Sequence, residues 1–255
     1  FDNPSGNIRF TQTRHVWQRG RCAFCGASQQ EYEREGTLEV HAYEWVHTPK
    51  PEEIFKMKFD VIISNPPYQL SDGGNGASAK PLYHMFVEQS KKLKPRFMTM
   101  IIPARWYSGG KGLDGFRSAM LNDPHIRTLI DFTSSADCFP GVDISGGVCY
   151  FLWDRDHPGL CSYTNNYNGK QVTIEKSLNE YTTFIRYPTA DSIISKVKRL
   201  KEKTMDLAVT ARKPFGLATN AEPMEDGDLV LRYNRGSGRY RRSAIKAGLE
   251  YIDKW

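Results

Sequence analysis

The sequence predicts an α/β fold with a mostly parallel sheet and an antiparallel hairpin at the sheet edge, on three observations. From Phe59 onward, short aliphatic runs alternate with amphipathic helical stretches. Glycine-rich or glycine-paired loops separate them. A hydrophobic content of 39% over 255 residues is ample for a sizeable core.

In chain order, Phe59 to Ile63 reads as a buried strand and Ser71 to Gly76 as a glycine-rich loop. Leu82 to Leu93 has helical periodicity, with Leu82, Phe86, Gln89 and Leu93 near one stripe and Lys91, Lys92 and Lys94 crowding the end, where cations suit the helix dipole. A strand over Phe97 to Ile102, a helix over Leu113 to Leu121 and a strand over Arg127 to Phe132 follow. The run VCYFLWD, introduced by Gly146-Gly147, reads as the return arm of a hairpin that closes the sheet on an antiparallel edge.

Residues 1 to 36 are rich in Arg, Gly, Gln and Ser around Cys22-Ala23-Phe24-Cys25-Gly26, an irregular or metal-stapled stretch, and Leu38 to Val46 alternates like a strand. Beyond Asp156 the composition shifts to Gly, Asn, Tyr and Thr as far as Tyr187, after which Ile193, Ile194, Val197 and Leu200 mark an amphipathic helix. The organisation expected is a cysteine-bearing insert and lead-in strand over 1–57, a catalytic core over 58–156, and a connector with a basic segment over 157–255.

Composition narrows the function. The chain has no apolar run of about 18 residues and no signal peptide, so a cytoplasmic location is expected. The formal net charge of +6 favours an acidic partner such as nucleic acid. Five cysteines, odd in number and mostly scattered, argue against a secreted disulfide scaffold. A start at Phe1 without methionine and an end at Lys254-Trp255 read as a fragment of a longer protein.

Chemistry concentrates in Asn65-Pro66-Pro67-Tyr68, directly after the first strand, where an open α/β sheet places its ligand crevice. Two prolines fix two φ angles and remove two amide donors, so the turn offers carbonyl oxygens and the Asn65 amide as a rigid acceptor array. Such an array suits an NH₂ group, and the flat face of Tyr68 beside it suits a planar base with an exocyclic amine.

Asp60-Val61-Ile62-Ile63 followed by Asn65-Pro66-Pro67-Tyr68 resembles the catalytic motif of the amino-group DNA methyltransferases that make N6-methyladenine, as in restriction-modification enzymes. The resemblance runs from Phe59 through Trp153, with FMTMIIPARW as the next strand and IDFTSSADCFPG with GGVCYFLW as the strand-loop-strand bordering the target base. It implies a Rossmann-like class I methyltransferase sheet, truncated at its N-terminus, followed by the start of a DNA target-recognition region from Pro188. The cofactor implied is S-adenosylmethionine. The partners implied are double-stranded DNA and a cognate restriction endonuclease activity in the same or a partner chain.

By the same resemblance, the Asn65 side-chain carbonyl and the Pro66 backbone carbonyl accept hydrogen bonds from adenine N6, Pro67 stiffens the turn, and Tyr68 and Phe139 stack on a flipped base. Phe59 and Asp60 edge the cofactor pocket. The family's glycine-rich cofactor loop and its ribose-binding acid normally precede the motif in this chain order, and neither is found before Asn65. Alternatives stay open: RNA adenines and protein glutamines present the same NH₂ chemistry, and a non-catalytic DNA-binding fragment or decayed methylase would bind no cofactor.

Cys22-x₂-Cys25-Gly26 is half of a zinc knuckle. His41 and His47 have near-suitable spacing, but a strand over 38–46 sets them about 20 Å apart. The missing ligands are therefore expected upstream of Phe1, with His41 as a substitute and His47 as an ordinary histidine. In the tail, Arg232, Arg235, Arg239, Arg241 and Arg242 interleave with Tyr233 and Tyr240, a pattern for phosphate contacts and base stacking. A solvated strand pair joined by Gly236-Ser237-Gly238 is the competing reading.

Overall fold

The computed structural model describes residues 15–33, 41–54, 57–70, 80–181, 183–202, 222–233 and 236–241. The chain divides into two compact units, Phe1–Ile194 and Ser195–Trp255. No described helix is long and apolar enough to cross a membrane.

The first unit begins with a hairpin, β1 (Trp17–Gln18) and β2 (Arg21–Cys22), closed by Arg19 and Gly20, both at positive φ as a type I′ turn requires. Helices α1 (Gln29–Tyr32), α2 (His41–His47) and α3 (Pro51–Ile54) lead to β3 (Val61–Ser64). The strand expected over Leu38 to Val46 is corrected: 38–40 lie outside the described residues, and the rest is the helix α2. Trp45 and Val46, adjacent and both apolar, already break a period-two pattern and fit a helix face.

From β3 the expected alternation follows with α4 (Tyr83–Lys92), β4 (Phe97–Pro103), α5 (Asp114–Leu121), β5 (Ile126–Phe132) and β6 (Val148–Asp154). Two further strands, β7 (Cys161–Tyr167) and β8 (Lys170–Lys176), were not expected. The six-stranded sheet has the order β3-β4-β6-β5-β7-β8. Strands β3, β4, β5 and β7 point one way, while β6 and β8 oppose them.

The return arm β6 is antiparallel as expected, yet it inserts between β4 and β5 and does not form the edge. The antiparallel edge is the β7–β8 hairpin, turned at Asn168-Gly169 with both residues at positive φ. The boundary expected at 156/157 therefore falls between two strands of one sheet. At the opposite edge, β3 pairs with β4 alone among the described residues.

The main core lies on the sheet and includes Val87, Met98, Trp106, Leu113, Met120 and Phe151. Helix α4 is wedged between two cores. Tyr83 and Val87 face the sheet, while Leu82, Met85 and Phe86 face a smaller cluster built on Cys22, Cys25, Ala27, Val46 and Leu70. Gln89 on α4 donates to the carbonyls of Trp45 and Thr48, both at 2.7 Å, and so ties the end of α2 to this helix. The terminal lysines of α4 are not simply solvated: Lys91 meets Asp123 at 2.6 Å and Lys92 donates to Gln89.

A twelve-residue helix, α6 (Pro188–Arg199), spans the division between the units. The second unit contains the hairpin β9 (Leu229–Tyr233) and β10 (Gly236–Tyr240). Gly236, Ser237 and Gly238 lie within β10 and not in the turn, which corrects the joint expected there.

Candidate active site

Asn65 to Tyr68 leave the carboxyl end of β3. Asn65 and Pro67 are exposed, Pro66 is buried and Tyr68 is half-buried against the main core. Backbone pairs clamp the far side of the turn: Leu82 N–H donates to the Tyr68 carbonyl and Leu70 N–H to the Lys80 carbonyl, both at 3.0 Å. Asn65 thus faces solvent, while the Tyr68 end of the turn is fixed to the start of α4. No hydrogen bond engages the Asn65 side chain among the described residues. The glycine-rich loop over 71–76 lies outside them.

The Tyr68 hydroxyl is buried without a hydrogen-bond partner. Burial pushes its pKa up to about 12, with Cys138 and Cys149 within electrostatic range adding to the rise. Phe139 lies on the loop between β5 and β6. One hydroxyl bridges that loop: buried Ser135 Oγ donates to the Val142 carbonyl at 2.7 Å and accepts from Ile144 N–H at 2.8 Å. Phe139 is half-buried on it.

Beneath this loop lies a polar cluster that sequence reasoning missed. Asp131, fully buried on β5, accepts from Arg186 Nη2 at 2.6 Å, Arg186 Nε at 2.9 Å, Tyr163 Oη at 3.0 Å and Asn165 Nδ2 at 3.1 Å. Arg186 also donates to the Gly146 carbonyl at 2.8 Å, holding the end of the loop. Burial works against the guanidinium charge and the Asp131 carboxylate outweighs it, so the Arg186 pKa lies above arginine's ordinary value. The legible signal was Asn168-Gly169, which announces β7 and β8 and hence the inward-facing Tyr163 and Asn165.

Two expectations do not converge on this site. Phe59 and Asp60 precede β3 at its amino end and line a surface cavity of about 680 Å³ with Lys92, Lys94 and Arg155, away from the carboxyl end where Asn65 sits. The buried strand expected at Phe59 to Ile63 is instead an edge strand, with Val61 50% and Ile63 77% exposed. In the tail, Arg239 donates to the Gly227 carbonyl and Arg241 pairs with Asp226. The Arg232 side chain, Arg235 and Arg242 lie outside the described residues.

The cysteine pair has two partners that sequence reasoning did not give it. Cys22 Sγ lies 3.2 Å from His47 Nε2, and Cys25 Sγ lies 3.6 Å from His15 Nδ1. His47, expected to be ordinary, ends α2 within this group. Burial opposes ionisation of Cys22, but the Cys25 backbone and the His15 and His47 rings outweigh it and bring the thiol down to about 5. Burial pushes Cys25 up to about 12, and the neighbouring Cys22 adds to the rise.

Residues 1–139 match the model of the Eco57I restriction-modification methylase family. The chain belongs to this family. An uncharacterized adenine-specific methylase of Mycoplasma pneumoniae is 34% identical over 194 residues, which cover 69% of this chain and 46% of that protein. The chain thus spans about half the length of the curated relative it matches. Among solved structures, a modification subunit of a putative type I restriction enzyme from Vibrio vulnificus YJ016 is 14% identical over 59% of this chain and 34% of its own, with a TM-score of 0.34. A type I restriction-modification methyltransferase subunit from Streptococcus thermophilus is 13% identical over 58% and 33%, with a TM-score of 0.29. The match to the methylase family takes in the whole Asn65 to Tyr68 turn and ends at Phe139.

Proposed function

We propose that this chain supplies the target-amine half of an S-adenosylmethionine-dependent DNA methyltransferase acting on adenine N6 in a restriction-modification system. The observation that carries the reading is an exposed Asn65 beside a buried Pro66 at the carboxyl end of β3, in a member of a methylase family.

The described residues do not by themselves fit S-adenosylmethionine. No strand flanks β3 on its outer side among them to present a glycine-rich turn or a ribose-binding carboxylate, and Phe59 and Asp60 lie at the wrong end of the strand. The exposed Val61 and Ile63 on that open edge support a cofactor-binding part of the sheet that adds there, outside the described residues. When bound, the cofactor supplies an electrophilic methyl group.

What this chain does is hold and polarise the acceptor. Adenine N6 is a poor nucleophile because its lone pair is delocalised into the ring. Accepting its two N–H groups at the Asn65 side-chain oxygen and the Pro66 carbonyl draws density back to nitrogen, and the prolines set that geometry before reaction. The base is rotated out of the duplex at a cost of a few kcal/mol, and stacking on Tyr68 or Phe139, at roughly 1–3 kcal/mol per base, offsets part of it. Double-stranded DNA is the partner, with Arg232, Arg235, Arg239, Arg241 and Arg242 as phosphate contacts. A cognate restriction endonuclease activity in the same or a partner chain completes the system.

The test is transfer of labelled methyl from S-adenosylmethionine by the full-length protein to duplex DNA, RNA and protein in parallel. Label at N6 of adenine in DNA supports the reading. Label in RNA adenine or protein glutamine instead moves the activity to another acceptor, and no cofactor binding leaves a DNA-binding module.

A further inference from the structure

We propose that His15, Cys22, Cys25 and His47 bind a structural zinc ion that fixes the N-terminal segment to α4 and, through it, the Leu70 arm of the Asn65 to Tyr68 turn. All four side chains are buried, and their donor atoms lie within 4.8 Å of one another. In a tetrahedral site with Zn–S of about 2.3 Å and Zn–N of about 2.0 Å, donor atoms stand about 3.3–3.8 Å apart. The cross-pairs here, at 3.2 and 3.6 Å, lie close to those edges, and the widest separation, up to 4.8 Å, would draw in as the ion binds.

The backbone is already shaped for the ion. Cys22 leaves the β1–β2 hairpin, and the chain turns back at Gly26 with φ of 75°, closed by Gly26 N–H to the Cys22 carbonyl and Cys22 N–H to the Ala27 carbonyl, both at 2.9 Å. This loop sets two sulfurs on one side of the site. His47 arrives from α2, whose end Gln89 holds through the carbonyls of Trp45 and Thr48 on either side of it.

The donor set selects the metal. Two sulfurs and two imidazoles suit zinc, whereas calcium and magnesium want oxygen and iron–sulfur clusters in general want four thiolates. Cys22 is 3% and Cys25 6% exposed, the burial of a structural site more than of a reactive thiol, although both edge a surface cavity with Lys80 and His84. The surrounding cluster of Ala27, Val46, Leu70 and Leu82 is small for an independent core, the situation in which a metal staple contributes folding energy. Leu70 ties it to the catalytic turn, two residues beyond Tyr68. This inference stands whether or not the acceptor is adenine.

Metal analysis of the full chain purified without chelator, followed by cobalt(II) substitution, tests it. The expected result is about one zinc ion per chain, with cobalt giving tetrahedral ligand-field bands and a thiolate-to-cobalt charge-transfer band. Cys22→Ser and His47→Ala should lose the metal, while Cys161→Ser, which removes a buried thiol of the sheet, should keep it and so separates loss of the ion from loss of fold. Chelation should raise amide exchange at Leu70 and Leu82 together with Cys22. Wild-type protein that takes up neither metal, or Cys22→Ser and His47→Ala variants that retain full zinc, would overturn the site; unchanged exchange at Leu70 would overturn its link to the turn.

Discussion

Replacing Arg186 by methionine removes three donors at once: Nε and Nη2 from the fully buried Asp131 and Nη1 from the Gly146 carbonyl. Asp131 would keep only Tyr163 Oη at 3.0 Å and Asn165 Nδ2 at 3.1 Å. Stripping one partner from a buried ion pair costs about 3–5 kcal/mol, and the two neutral donors that remain place this case near 3. In the double variant Arg186→Met with Asp131→Asn the buried charge is gone, so the second change should restore about 1–2 kcal/mol where additivity predicts a further loss. The assay is urea unfolding followed by tryptophan fluorescence, read as midpoint shifts at constant slope. A cost below about 1 kcal/mol for Arg186→Met, or additive single and double variants, would refute the reasoning that the pair is a coupled, desolvated support for the loop.

Gly147 sits at φ of 79°, and a Cβ there would meet the Phe132 and Thr133 carbonyls, so Gly147→Ala should cost more than about 2 kcal/mol by thermal melting, while Gly169→Ala, with open space around it, should cost only the left-handed strain of about 1–2. Asp123 accepts from Lys91, Trp153 and His125; burial alone would raise its pKa, but Lys91 and His125 hold it below the ordinary aspartate value. The folded pKa is depressed, so its stabilisation is complete above the unfolded value of about 3.9 and is lost as pH falls through the folded one; Asp123→Asn should flatten that acid limb of the urea midpoint, and an unchanged limb contradicts the assignment. If Arg239 and Arg241 contact phosphates, the double alanine variant should reduce the slope of log affinity against log salt by about 1.8, and an unchanged slope removes them from the interface.

Strand–helix alternation made β3 to β6 legible because each element carries an apolar run or stripe, which β4 buries through Met98, Met100 and Ile102. β7 was hidden because its inward residues include Thr164 and Asn165, polar groups satisfied by Thr173 on β8 and by Asp131, and no apolar pattern reports such satisfaction. The position of β6 between β4 and β5 is a matter of long-range pairing, invisible to local periodicity. At the site, Asn65 to Tyr68 were legible because the chemistry sits in four consecutive residues. His15 and His47 were not: His47 depends on α2 being a helix, and His15, just before β1, meets Cys25 only once the β1–β2 hairpin folds back. The aliphatic run of β3 is the sequence pattern of a central strand, whereas among the described residues β3 pairs with β4 alone and Val61 and Ile63 are exposed.

The most direct measurement of the central claim is single-turnover methyl transfer to duplex DNA by the full-length protein, comparing Asn65 with Asn65→Ala and Asn65→Asp. The account predicts label at adenine N6, a fall of roughly 100-fold to 1000-fold in rate for Asn65→Ala with cofactor binding unchanged, and a smaller fall for Asn65→Asp, which keeps an acceptor oxygen. Wild-type transfer rates in Asn65→Ala would contradict it.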